Sequence, residues 1–408
     1  MRKKRMLMLI MLLGCFELFT GSIIPMNNLH EPGMLQIQSD KNLSFIPDNT
    51  SLLSSSQKNE TSYSSPFTAY DTSAKPKIPV LYIEVWNGKN NRVGHLGEVQ
   101  DDFNVPGHVY SKYALSSFTY SLNGGEDVPL NTFVYRRIVN QGDFNADIPV
   151  AMMKTGVNII KLKAVNIHNQ SAESVVKVTK TAKGEYPFPV NIHWSSVRNI
   201  EDVGHCSDGR WEVGPDGLRT VQIGYDRVFL IGNKKWKDYE VACKVTIHGL
   251  SKKNGPQSWI VRHAGFCLRW SGHSLEDNKP GDQPKWGLHP RGGIVWLTIV
   301  DGKFPPIRQF YPGDSESSKT FEPFTVSPRK PFWMKGRCET LPDNNDGAGV
   351  TKYSFKVWDV GTDEPAEWDY QEIQTSAKAL RTGGCALVAH ELDASFGDIS
   401  IINLPASE

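Results

Sequence analysis

Apolar and polar positions alternate through most of this chain, and helical spacing is rare. In Tyr353-Ser354-Phe355-Lys356-Val357-Trp358, the residues Tyr353, Phe355 and Val357 share one face of a strand, while Lys356 and Trp358 share the other. A Gly361-Thr362-Asp363-Glu364-Pro365 turn follows. The runs Cys385-Ala386-Leu387-Val388-Ala389-His390 and Phe396-Gly397-Asp398-Ile399-Ser400-Ile401 close the pattern. Residues 352–401 therefore read as the end of a large antiparallel sandwich.

The same alternation extends upstream. Tyr239, Val241, Cys243, Val245 and Ile247 form one face of a long strand, and strand-like runs continue through Phe266-Cys267-Leu268, Gly293-Ile294-Val295-Trp296 and Phe332-Trp333-Met334. Long strands filling residues 190–404 predict a jelly roll of two curved sheets. Residues 75–183 carry shorter strands. Examples are Phe118-Thr119-Tyr120-Ser121-Leu122 before the Asn123-Gly124 turn signal, and the alternating Asn158-Ile159-Ile160-Lys161-Leu162-Lys163-Ala164. Six or seven such strands predict an immunoglobulin-like or fibronectin-like sandwich without the antibody cysteine pair. A Pro-stiffened joint at 184–189 separates the two. The fold class is all-β: an Ig-like sandwich, then a jelly-roll sandwich.

The start of the chain is a targeting segment. Arg2, Lys3, Lys4 and Arg5 precede an apolar run too short to span a bilayer, so residues 1–22 read as a signal peptide. Residues 23–74 are rich in Ser, Asn, Thr and Gln and read as a disordered linker. The chain of 408 residues has 45 Lys and Arg against 44 Asp and Glu, which gives no global attraction to nucleic acid. Beyond Cys15 there are five cysteines, an odd number that cannot all pair; Cys243, Cys267, Cys338 and Cys385 lie in apolar runs that suit buried thiols, and one or two disulfides of unread connectivity are the alternative.

Several motifs match known families. Leu12-Leu13-Gly14-Cys15 resembles the lipobox of bacterial lipoproteins, which implies a lipid on Cys15 and membrane anchoring, although Leu13 is bulkier than the usual residue there. The alternative is cleavage after Gly21 or Ser22 and free secretion. The sequence from Tyr120-Ser121-Leu122-Asn123-Gly124-Gly125 to Gly156-Val157-Asn158-Ile159-Ile160 resembles bacterial Ig-like modules attached to extracellular carbohydrate-active proteins. Trp236-Lys237-Asp238-Tyr239-Glu240-Val241, Leu268-Arg269-Trp270, Tyr353 to Trp358, and Phe396-Gly397-Asp398-Ile399 resemble the concanavalin A-like lectin/glucanase superfamily. Within it they are similar to laminin-G-like and keto-disaccharide-hydrolase-like jelly rolls. That resemblance implies the fold and leaves activity open among lectins, hydrolases, lyases and adhesion modules. It also implies an Asp398 that helps hold a structural calcium, with Glu201 or Asp202 as partners. No cofactor is required.

The paired acidic residues of glucanases, Glu-x-Asp-x-x-Glu on one strand, are absent. Eleven Trp supply stacking surfaces for sugar rings. Arg269, Trp270, Trp286, His289, Arg291, Arg337, Lys356 and Trp358 are the expected ligand-binding residues, gathered in one cationic and aromatic groove. His273, His289 and His390 are the candidate catalytic groups, should a uronate be cleaved there. The sequence thus predicts a secreted or cell-surface protein whose jelly roll binds a polysaccharide or glycan, with the Ig-like domain as spacer. The alternatives are a glycoside hydrolase or polysaccharide lyase using the same groove, and a cell-surface adhesion or structural protein.

Overall fold

A computed structural model describes residues 79–182, 184–251, 261–274, 281, 283–287, 290–300, 302–313, 318–342, 350–375 and 379–405. The leader, Cys15, the linker and His289 lie outside the described residues. Residues 75–408 belong to one compact unit. Its regular structure is strand throughout, apart from three short 3-10 turns, and no described helix is long and apolar enough to cross a membrane.

Eight strands build the first sandwich: β1 (Leu81–Val85), β2 (Asn90–Val93), β3 (Asp102–Ser111), β4 (Leu115–Leu122), β5 (Val128–Pro129), β6 (Asp143–Pro149), β7 (Gly156–Asn166) and β8 (Ser171–Lys180). They form a three-stranded sheet, β1-β3-β6, and a five-stranded sheet, β2-β8-β7-β4-β5. The alternation in β7 buries Ile160, Leu162 and Ala164 completely, against Val176 and Val178 of β8. After β4 the chain turns at Asn123 and Gly124, both in the left-handed region at φ 54° and 76°, which that residue pair adopts readily.

The second sandwich begins with β9 (Val190–Ile192), β10 (His205–Asp208), β11 (Trp211–Gly214), β12 (Gly217–Thr220), β13 (Arg227–Ile231), β14 (Tyr239–Leu250), β15 (Val261–Trp270) and β16 (Gly293–Val300). It continues with β17 (Ile307–Pro312), β18 (Lys319–Pro323), β19 (Phe332–Leu341), β20 (Val350–Asp359), β21 (Tyr370–Gln374), β22 (Gly384–His390), β23 (Leu392–Phe396) and β24 (Ile399–Asn403). A seven-stranded sheet runs β10-β13-β22-β15-β16-β17-β18. The facing sheet runs β11-β12-β23-β14-β19-β20-β21, with β24 and β9 alongside β14.

The main core lies between these sheets. Phe266, Leu268, Val295, Leu387 and Phe229 interleave with Val241, Cys243, Met334, Phe355 and Tyr353. Cys206, Cys243, Cys267, Cys338 and Cys385 are all buried free thiols, so no disulfide joins them. The two sheets differ on their outer faces. On the nine-stranded sheet, β14 and β19 alternate and leave one face polar. On the seven-stranded sheet, the runs Val228-Phe229-Leu230-Ile231 and Cys385-Ala386-Leu387-Val388-Ala389 are apolar at every position, the pattern of strands covered on both faces. Accordingly, Val228, Leu230, Cys267, Trp270, Ile294, Trp296, Ala386 and Val388 form a second buried cluster on the outer side, with Val99 of the first sandwich packed against it.

The first sandwich is thus packed onto the second. Their junction also holds a buried polar network. Arg137, from the loop between β5 and β6, is completely buried and pairs with Asp208 of β10 at 2.8 Å and with Asp147 of β6 at 3.2 Å. Its remaining nitrogen donates to the Ser207 carbonyl at 3.0 Å. Asn145 donates to the same carbonyl, and Asn104 and the Lys285 amide donate to Asp147. Such a network satisfies each charge, which is what makes its burial tolerable.

A candidate groove beside the module junction

The strand register lays two rows of side chains across the outer face of the seven-stranded sheet. Asp226, just before β13, sits beside His390 of β22. His390 pairs with His263 of β15, and His263 pairs with Thr298 of β16. The next row reads Val228, Val388, Gly265, Trp296 and Gln309. Gly265 has no alternative here: a Cβ would lie 2.4 Å from Trp296 Cβ and 2.3 Å from the Val295 carbonyl oxygen. The space it leaves lets Trp296 lie flat on the His263 ring, with centroids 3.8 Å apart and planes within 7°.

Hydrogen-bond logic settles the tautomer of His263. The Trp296 indole can only donate, so its partner at 2.9 Å is the amide oxygen of Gln309. Thr298 Oγ1 lies 2.9 Å from that same oxygen and must donate to it. The Thr298 hydroxyl therefore accepts from His263 Nδ1, 2.9 Å away, which leaves Nε2 as a bare lone pair. Burial, with His390 adding to it, pushes the His263 pKa well below its ordinary value, so the ring is neutral at pH 7. His390, with its ring centre 5.2 Å from that of His263, is anchored differently: its Nδ1 meets the Asp226 carboxylate at 2.8 Å.

Aromatic and cationic groups surround these rows. Tyr225 stands edge-on to His390 at 5.0 Å and is 37% exposed. The Asp226 charge, then burial, raise its phenol pKa while Arg136 and Arg291 oppose, so the hydroxyl keeps its proton. Arg291 lies over the Tyr311 ring at 4.9 Å. From the first sandwich, Tyr135 meets Trp286 edge-on at 5.0 Å, and Arg136 lies over Tyr135 at 5.4 Å. Arg136 and Asp226 hold φ of 46° and 42°, strained values for residues other than glycine, of the kind that clusters at functional sites.

The expected site residues divide. Trp270, Trp286, Arg291 and His390 lie on this side of the sheet, but Trp270, Trp286 and Arg291 are buried there. His273 is nearby but turned into the junction, where Nε2 meets Asp208 at 2.7 Å and Nδ1 meets the Gly287 carbonyl at 3.0 Å, so neither nitrogen faces the groove. Arg269 lies on the other side of the sheet. Alternation would put it outside with Cys267, but the register shifts between Leu268 and Trp270, and Arg269 takes φ 54°. That bulge turns Trp270 outward and Arg269 inward, fully buried, donating to the Lys237 carbonyl, Asp238, Thr340 and Thr351.

Arg337, Lys356 and Trp358 lie on the outer face of the opposite, nine-stranded sheet, so no single trough holds all the expected residues. There Trp333 and Trp358 stack at 5.8 Å, and Arg337 and Lys356 each lie 4.8 Å from the Trp368 ring. Their charges are matched: Arg337 pairs with Glu240 at 2.5 Å, and Lys356 with Glu364 at 2.7 Å. Asp398, expected at a calcium site, accepts from the Trp194 amide at 3.0 Å and contacts His193 at 2.9 Å. Glu201 instead binds His205 and the Cys206 amide, and Asp202 binds Arg92. These three carboxylates share no ligand set, and no metal-holding group of three or more His, Cys, Asp or Glu occurs among the described residues.

Tyr135, Arg136, Tyr225, Asp226 and Gln309 are the groove residues that sequence reasoning missed. They come from loops and from β17, up to 255 positions from His390, and only the tertiary fold collects them.

The fold defines an all-β protein of two joined sandwiches, with basic and aromatic side chains gathered next to the joint. No family model matches the sequence, and no curated protein matches it. Solved structures similar to parts of it include a carbohydrate binding module, CBM66, from Bacillus subtilis, 10% identical, covering 49% of this chain and 95% of that one at a TM-score of 0.29. Another is the exoplasmic/lumenal domain of VIP36 in its Ca2+/Man3GlcNAc-bound form, 12% identical, covering 50% of this chain and 84% of that one at 0.29. A third is a bifunctional GH43-CE protein of Bacteroides eggerthii, 11% identical, with 76% of this chain aligned to 40% of that one at 0.34. At these scores the likeness carries no argument about ligand or activity.

Proposed function

We propose that this protein binds an acidic polysaccharide in the groove on the outer face of the seven-stranded sheet. The observation that supports it most is the rim: Tyr135 at 45% and Tyr225 at 37% exposure, with Arg136 between the sandwiches and without a carboxylate partner among the described residues. Tyrosine rings stack on the apolar faces of pyranoses, and a guanidinium recognises a carboxylate with paired hydrogen bonds. The matched charges on the nine-stranded face make it the weaker candidate. Because Tyr135 and Arg136 belong to the first sandwich, that sandwich contributes to the binding surface and does more than space it.

Affinity electrophoresis or calorimetry tests this reading. A polyuronate binds and a neutral glucan does not, and binding weakens as salt rises. Arg136→Ala lowers affinity about tenfold, the factor set by about 1.4 kcal/mol, whereas Trp333→Ala on the opposite face leaves it unchanged. Equal binding of charged and neutral glycans, or loss only in Trp333→Ala, defeats the assignment.

The basic and apolar leader, ending in Leu12-Leu13-Gly14-Cys15, supports export and lipid anchoring at the cell surface. Incorporation of labelled palmitate in a bacterial host, abolished by Cys15→Ala, is the expected result. A soluble, unlabelled wild-type product would instead indicate free secretion.

A further inference from the structure

We infer that the joint between the sandwiches holds a second binding site, for a primary ammonium group on a short apolar stem. The site is a cavity of about 40 Å³. Residues 92–100, Asp102 and Val150 wall it from the first sandwich, and Glu201, His205, Leu230 and two glycines wall it from the second. It shares no lining residue with the groove and stands whether or not a polyuronate binds there.

Most polar groups in the walls are already matched. His205 accepts from the Asn104 amide through Nε2 at 3.2 Å, so its proton is on Nδ1, which donates to Glu201 at 2.7 Å. The other Glu201 oxygen accepts from the Cys206 amide at 3.0 Å and from Asn87 at 3.3 Å. Arg92 is held by Asp202 at 2.7 Å. Two enclosed atoms of lining residues have no hydrogen-bond partner: Asp102 Oδ1 and His95 Nδ1. Asp102 is 7% exposed, and its other oxygen is engaged by Lys285. His95 Nε2 lies 3.3 Å from the Asp202 carbonyl, which can only accept, so Nε2 carries the proton and Nδ1 is a bare lone pair. Burial lowers the His95 pKa from its ordinary value, so the ring is neutral at pH 7.

Both orphans therefore accept, and an enclosed acceptor left unmet is costly. Water answers this poorly. At roughly 10–15 Å³ per molecule the cavity holds about three waters, each wanting roughly two to four polar partners. The walls offer those two acceptors among Val93, Leu96, Val99, Val150 and Leu230. The same space takes about three non-hydrogen atoms, the size of an ethylammonium group. Its N–H groups supply both missing donors, and its carbons lie on the apolar side chains. Charge favours a cation over a neutral alcohol. The lining sets Glu98, Asp102 and Glu201 against Arg92 alone. Burial also raises the Asp102 pKa in spite of Lys285, the mark of a carboxylate short of positive charge. Because the walls come from both sandwiches, an occupant that binds only the folded joint stabilises it.

The full chain, labelled with carbon-13 at histidine Cε1, is titrated by NMR at pH 7 with ethylamine, with ethanol as its neutral isostere, and with tetramethylammonium as a cation without N–H groups. The His95 signal is the one lost in His95→Gln. The expected result is a saturating shift of that signal with ethylamine only, together with a higher unfolding temperature in ethylamine than in either other probe. Asp102→Asn weakens ethylamine binding about tenfold or more, as loss of a charged acceptor should. Leu96→Trp, which fills the space and keeps both acceptors, abolishes it. No saturating shift with ethylamine overturns the site and leaves ordered water as its content. An equal response to ethanol or tetramethylammonium overturns the ammonium assignment, and unchanged binding in both variants overturns the location. Should either variant fail to fold, the selectivity of the wild-type protein among the three probes still decides.

Discussion

Arg137→Ala lowers the stability of the folded protein by about 3–5 kcal/mol, the loss seen when one partner of a buried ion pair is removed. The guanidinium, 1% exposed, is shared by Asp147 and Asp208, one on each side of the module junction. Without it both carboxylates stay buried with fewer donors. Burial raises the Asp208 pKa, and Arg137 and His273 overcome this to hold it below the usual value. In the native protein that depressed pKa contributes stability at neutral pH, which is lost as pH falls through it. The variant lacks much of the Arg137 share already at pH 7. Urea unfolding followed by tryptophan fluorescence, with hydrogen exchange over β3 and β6 reporting the first sandwich, measures the effect. A loss below about 1 kcal/mol, typical of exposed pairs, would mean that water reaches the junction and that the sandwiches are not locked together.

Arg269→Ala costs about 3 kcal/mol, from several charged hydrogen bonds and a void left together, yet leaves polyuronate affinity unchanged where the variant is folded. Arg269 joins the two sheets of the second sandwich at one edge. It donates to Thr351 of β20 at 2.6 Å, Thr340 of β19 at 2.7 Å, the Lys237 carbonyl at 2.9 Å and Asp238 at 2.9 Å. Its amide also donates to the Tyr239 hydroxyl at 2.8 Å. Thermal unfolding and calorimetry on one preparation separate the two effects. A tenfold weaker ligand with unchanged stability would return Arg269 to the binding surface.

These two arginines mark where sequence reading succeeded and where it stopped. The alternation of β14, β19 and β20 is legible because one face of each is apolar and the other carries mostly polar side chains, so Tyr353, Phe355 and Val357 point inward as the spacing predicts. The apolar runs of β13 and β22 carried a second signal, that both faces of their sheet are covered, and this marks the face to which the first sandwich attaches. Arg269 escaped because one bulged residue inverts the alternation, and no sequence feature near Leu268 announces it.

Periodicity assigns a side chain to a side of its strand, but it does not say which of two sheets the strand joins. For that reason Arg337 and Lys356 were grouped with Arg291 and Trp286, although pairing places the first two on the opposite sheet. The histidines follow the same rule. His263 and His390 lie 127 positions apart and meet only because β15 and β22 pair in register. By itself the sequence determined the all-β class, the strands and their dry faces, because local alternation is a direct record of burial. Which strands became neighbours, and so which imidazoles, rings and cations share a groove, was decided by long-range pairing and by the buried charges at the junction, interactions that leave no periodic trace along the chain.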